Sequence, residues 1–161
     1  MTVKKKISIF CICIWLMLLT SCVVDEKKAP ISIDDKYVNQ QIIIRAPSYA
    51  NTFKTKDFIT LELKYNSNNV IVFPNNYNVR IFEEMTDAWV EIKEKPTERI
   101  PSGEIVLSPE KYLPAVQVVA FFPDLPKQDR AYSLRVYVIG QMKEKGEIKD
   151  VAAFTHIDLN P

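Results

Sequence analysis

Beyond about residue 40 the chain alternates apolar and polar side chains with a period of two. Between Phe58 and Tyr65, Ile59, Leu61, Leu63 and Tyr65 point one way and Thr60, Glu62 and Lys64 the other, which predicts a strand with one buried face. Asn66-Ser67-Asn68-Asn69 interrupts the pattern with turn residues. Val70 to Phe73 resumes it and stops at Pro74; after Asn75-Asn76, Tyr77, Val79 and Ile81 carry it through Phe82. Gln41 to Arg45 is a short β-branched run, and Ile105 to Leu107 is a short apolar one before Ser108-Pro109. From Ala88 to Lys93, Ala88, Val90 and Ile92 share one side and Trp89, Glu91 and Lys93 the other. Alternation leaves open which of those sides is buried.

Val116 to Phe122 is apolar almost throughout, the pattern of a strand at a sheet centre or covered on both sides. Pro123-Asp124-Leu125-Pro126 ends it. Tyr132 to Met142 is the longest run, with Leu134, Val136 and Val138 inward and Ser133, Arg135 and Tyr137 outward. Lys145-Gly146 turns the chain, and Val151 to Leu159 closes it. No segment has helical periodicity, and ten prolines argue against helices because each removes a donor and breaks an interior turn. The expectation is an all-β protein of seven to nine strands, folded as an antiparallel two-sheet sandwich.

Asp129-Arg130-Ala131-Tyr132, just before the longest strand, resembles the tyrosine corner of immunoglobulin-like domains. There a Tyr hydroxyl bonds back to upstream backbone. The usual Asp stands four residues before the Tyr, and here it stands three before. With Trp89 mid-chain and Tyr-Ser-Leu-Arg-Val-Tyr-Val at 132–138, residues 40–161 resemble the bacterial immunoglobulin-like domains carried by small lipoproteins. The resemblance implies an immunoglobulin-like β-sandwich, with recognition placed on loops.

The first residues follow a different rule. Lys4-Lys5-Lys6 precedes Ile7 to Leu19, which is apolar except for Ser8. As a helix this run spans about 20 Å against a hydrocarbon core of about 30 Å, so it reads as the helix of a secretory signal. Leu19-Thr20-Ser21-Cys22 resembles the lipobox of bacterial lipoproteins at all four positions. That resemblance implies diacylglycerol transfer to the Cys22 sulfur, cleavage before Cys22, and membrane attachment through fatty acyl chains such as palmitate. An uncleaved anchor extending through Val23-Val24 is the competing reading, and both place the domain on the extracytoplasmic side. The expected organisation is a signal peptide at 1–21, a lipid-anchored tether at 22–39 and the sandwich at 40–161. Within the tether, Ile31-Ser32-Ile33 is long enough for a short strand.

Charge and cysteine usage narrow the function. Removing 21 of the 161 residues leaves 140, with 18 basic side chains against 20 acidic ones. That balance offers no electrostatic footprint for nucleic acid. Cys11, Cys13 and Cys22 all precede the domain, so no disulfide or thiolate ligand is expected within it. His156 is the only histidine, without metal-ligand spacing around it. The pairs Asp34-Asp35 and Glu83-Glu84 point to opposite sides of a strand and form no dyad alone; Asp34-Asp35 with Asp124 is the only combination worth checking for Ca²⁺. Three glycines provide no phosphate-cradling loop. No catalytic residue, cofactor or metal site is expected; Cys22 is the one residue with an assigned chemical fate.

The expected function is therefore an envelope lipoprotein, on the plasma membrane's outer side or the outer membrane. Its domain is a non-catalytic binding or structural module, with an envelope protein or glycan as partner. Loops at Asn66–Asn69, Pro74–Asn78 and Pro123–Asp129 are candidates for contact. So are the aromatics Tyr37, Tyr49, Phe53 and Tyr77, although the core is their commoner place. The alternative is an inhibitor of an extracytoplasmic protease, acting through the proline-stiffened, basic loop Lys95-Pro96-Thr97-Glu98-Arg99-Ile100-Pro101.

Overall fold

A computed structural model describes residues 28–50, 52–96, 103–110 and 116–161. Residues 1–21, where a signal peptide is expected, and Cys22 lie outside the described residues, as do Thr97 to Pro101 of the basic loop.

Two sheets pack face to face. The smaller contains β1 (Ile42–Arg45), β3 (Ile59–Tyr65) and β8 (Val116–Phe121), in the order β1-β3-β8. The larger is ordered β2-β10-β9-β4-β7, from β2 (Phe53–Lys54), β10 (Glu147–Asn160), β9 (Tyr132–Glu144), β4 (Ile71–Phe73) and β7 (Ile105–Leu107). β5 (Arg80–Glu84) also joins it, carrying β6 (Trp89–Ile92) on its far side. β9 is long enough to hold β5 along its first half and β4 along its second, with β10 running its full length opposite.

The two-residue turn between β9 and β10 sets their register. Lys145 and Gly146 both have positive φ (51° and 89°), the requirement of a tight hairpin turn matched to strand twist. Leu134, Val136, Val138, Val151, Ala153, Ile157 and Leu159 then face Ile42, Leu61, Leu63, Val119 and Phe121 across a closed core. Gly140 sits on the same inner side. A Cβ there would lie 2.7 Å from Ile71 Cγ2 and 2.9 Å from Phe73 Cε1, so the missing side chain is what lets β4 pack.

Tyr132 opens β9 as the sequence suggested. Its hydroxyl donates to Lys127 O (2.7 Å) and accepts from Lys127 N–H (3.0 Å), fixing the loop before the strand. The Arg130 guanidinium lies 3.9 Å from the Tyr132 ring centroid and pairs at 2.7 Å with buried Glu83.

The all-β sandwich stands, with four differences. Ten strands are described rather than seven to nine, because β2, of two residues, gave no periodic signal. β2 runs parallel to β10, so the pairing is not wholly antiparallel. β8 is an edge strand and not a central one: Val118, on its outer side, is 64% exposed. Tyr77 and Asn78 leave the strand pattern altogether, since Asn75 to Asn78 all have positive φ. Three asparagines make that left-handed turn tolerable; Tyr77 within it is buried, edge-on to Phe73 at 5.2 Å.

Candidate functional site

The outer face of the larger sheet carries a second apolar layer. β-strand alternation turns Phe82 of β5, Tyr137 of β9 and Ala152 of β10 outward, away from the main core. Ile31 and Ile33 cover them from the N-terminal segment. The segment is then fastened residue by residue. Asp34 caps one 3₁₀ turn (Asp35–Tyr37), accepting from Lys36 N–H at 3.1 Å. The Tyr37 hydroxyl donates to Glu144 Oε2 at 2.9 Å, and Val38 forms a parallel bridge with Ala152. Asn39, with φ 55°, donates its N–H to Ala152 O and accepts from Phe154 N–H through Oδ1, both at 2.9 Å. Residues 31–39, assigned to the tether by composition, are thus packed on the domain, and part of the β10 edge is closed by them.

Beside this strap lies a cluster built around Arg135. Its guanidinium stands 4.2 Å from the Trp89 ring centroid and 4.9 Å from that of Phe154. Its Nε–H donates to His156 Nε2 at 3.2 Å, and Nη1 lies 3.5 Å from the Tyr137 hydroxyl. Register explains the assembly: Arg135 faces His156 across the β9–β10 ladder and Phe82 across β5–β9, and Tyr137 faces Phe154. Desolvation, followed by the Arg135 charge, holds His156 below the usual imidazole range; Glu84 and Asp158 oppose this weakly. Its Nε2 is therefore an acceptor, and the imidazole is neutral near neutral pH. Trp89 takes the outer side, because Ile92 on the same strand is buried in the main core.

Two other features adjoin the sheets. Toward the β9–β10 turn, Val70, Val72, Gln141, Met142, Lys143 and Ile148 line an open apolar groove of about 600 Å³, with Ile148 70% exposed. At the left-handed turn, Asn76 Nδ2–H donates to Ala120 O (2.8 Å) and Glu94 Oε1 (3.3 Å). Burial pushes the half-buried Glu94 carboxyl up to about 7, against the lowering effect of its Asn76 bond.

The remaining sequence candidates are dispersed. Asp34 pairs with Lys36 at 3.0 Å and Asp124 with Lys95 at 3.5 Å. Among the described residues no group of three or more His, Cys, Asp or Glu side chains is placed to hold a metal ion. Glu83 turns inward to Arg130. The loop Asn66–Asn69 closes on itself, Tyr65 donating to Asn69 O at 2.6 Å and Asn69 N–H to Ser67 Oγ at 3.0 Å. The loop Pro123–Asp129 is held by buried Leu125, by the Tyr132 bonds and by Thr55 Oγ1–H donating to Gln128 O at 2.8 Å. Of the loop aromatics, Tyr77 is buried, Tyr37 and Phe53 pack against the core, and Tyr49 is 77% exposed. No helix among the described residues is long and apolar enough to cross a membrane.

The Arg135 cluster was not singled out from sequence. The signal was present: alternation puts Arg135 with Tyr137, and Phe154 with His156, on one side of their strands. Bringing the two pairs and Trp89 together required the register. The chain matches no family model, no curated protein and no solved structure.

Proposed function

We propose that this protein is an envelope lipoprotein, anchored through lipid on Cys22, whose sandwich is a non-catalytic binding or structural module on the extracytoplasmic side of a membrane. The observation that carries this reading is the fastened strap. Eight residues lie between Cys22 and Ile31, and the nine steps reach about 30 Å at ~3.3–3.6 Å per residue. An anchor tethers a domain firmly only if the domain end of the tether holds. Here Ile31, Ile33, Tyr37, Val38 and Asn39 hold it by packing, by a strand bridge and by side-chain hydrogen bonds. The domain is thereby kept close to the bilayer.

The non-catalytic part of the reading is supported by how the polar groups are used. His156, the only histidine, spends Nε2 on Arg135. Glu83 is neutralised by Arg130, and Asp34 and Asp124 by lysines. Loops that present recognition surfaces on a rigid scaffold are the common use of such a sandwich. Metabolic labelling with a fatty acid analogue tests the anchor: label is expected on the wild-type chain and absent from Cys22→Ser. Label retained in Cys22→Ser refutes it.

A further inference from the structure

We propose that the Arg135 cluster is a binding site for a monoanionic carboxylate attached to an apolar body, such as the free C-terminal end of a short peptide. The inference rests on the binding-module reading and gives that module a ligand class. It starts from a contrast among the described arginines. Arg45 pairs with Glu62 at 3.0 Å, Arg80 with Glu91 at 2.8 Å, and Arg130 with Glu83 at 2.7 Å. Arg135 has no carboxylate partner among the described residues. Its two acceptors among the described residues are neutral, the His156 ring nitrogen and the Tyr137 hydroxyl.

A guanidinium carries five N–H donors in a rigid fork. Nε–H points to His156 and Nη1 lies at long range from Tyr137, so Nη2 has no acceptor among the described residues and the fork is open along its end-on edge, at Nη1 and Nη2. The Trp89 and Phe154 rings both lie against the guanidinium, at 4.2 and 4.9 Å. This removes most of the rotamer freedom that an arginine ordinarily loses on forming a bidentate pair. A planar carboxylate accepts two parallel bonds from such an edge. The adjoining aromatic rings supply apolar surface for the group that bears it.

The rim sets the charge of the ligand. Glu84 and Asp158 both act electrostatically on His156, next to the fork. A dianion is repelled by these two carboxylates more than a single carboxylate is. The site therefore selects a monoanion over the dianionic form of inorganic phosphate, which is the form compared at pH above about 7.

His156 provides the readout, because it is the only histidine in the chain and touches Arg135. The full chain in detergent is titrated with N-acetylphenylalanine, with its amide, and with inorganic phosphate, while the His156 imidazole resonances are followed by NMR. The acid is expected to shift them saturably in the millimolar range. It is also expected to raise the pH at which His156 titrates, since the bound anion offsets the Arg135 charge. The amide and phosphate should have at least tenfold weaker effects. Arg135→Lys keeps the charge and removes the fork, and is expected to weaken binding of the acid at least tenfold with the thermal unfolding profile unchanged. Arg135→Gln, read in the same way, covers the case in which the lysine variant unfolds. Equal shifts from acid and amide, equal or stronger binding of phosphate, no saturable shift, or unchanged affinity in both folded variants overturns the proposal. The fatty-acid label on Cys22 reads the anchor independently, so failure of this site and failure of the lipoprotein reading are distinguishable.

Discussion

Replacing Glu94 by glutamine is expected to stabilise the domain in mildly alkaline solution and to change little in mild acid. Burial raises the Glu94 carboxyl from 4.5 to about 7 in the folded state. The folded chain thus holds this proton more tightly than the unfolded chain does. Stability from that proton is fully present below the unfolded value near 4.5, and it is lost as pH rises through about 7. At ~1.36 kcal/mol per pH unit, the full difference corresponds to about 3.4 kcal/mol. The side chain is only half-buried, and solvent screening reduces this to about 1–2 kcal/mol. Glutamine keeps an oxygen to accept from Asn76 Nδ2–H, so the substitution removes the titration and preserves the bond at 3.3 Å. Urea unfolding of both proteins near pH 4 and at about pH 8.5 makes the comparison. The expected result is equal stability in acid and a gain of about 1–2 kcal/mol for Glu94→Gln in alkali. Parallel pH profiles for the two proteins, or a destabilised glutamine variant at the alkaline point, would refute the reasoning.

Gly140→Ala is expected to cost about 1–3 kcal/mol by overpacking, because its Cβ meets Ile71 and Phe73 inside 3.0 Å; a thermal melt no lower than wild type would contradict this. Tyr132→Phe removes both bonds to the Lys127 backbone and is expected to lose about 1–2 kcal/mol in urea unfolding, with no loss indicating that the corner is ornamental. Asn39→Ala leaves Phe154 N–H without its acceptor, so hydrogen exchange at that amide should accelerate at least tenfold while β3 amides are unchanged; equal protection in both proteins would show that the strap is not held there.

Much of the sandwich was legible because a period of two survives wherever one strand face is wet. β3 and β9 obey it residue by residue, and Tyr132 bonds upstream as its position before β9 implied. The pattern failed where its premise failed. In β8 the apolar run marks no central position: Val116 and Val118 are apolar on an exposed side, and composition alone cannot separate an edge from a centre. At Tyr77 alternation continues in the sequence while the backbone turns left-handed, a conformation set by three asparagines and by the burial of one ring. Ile31 and Ile33 sit among charged residues, and only the complementary Phe82, Tyr137 and Ala152, far along the chain, make them a strap. The Arg135 site depends on register between β5, β9 and β10, which no local window contains. The chemistry proposed for Cys22, by contrast, rests entirely on 22 consecutive residues.

That chemistry is the central claim, and it is tested most directly by mass spectrometry of the N-terminal peptide of the protein purified from the membrane fraction. The account predicts a chain beginning at Cys22, heavier than its sequence by a diacylglyceryl group on sulfur. A chain that retains residues 1–21, or one that begins at an unmodified Cys22, would contradict it.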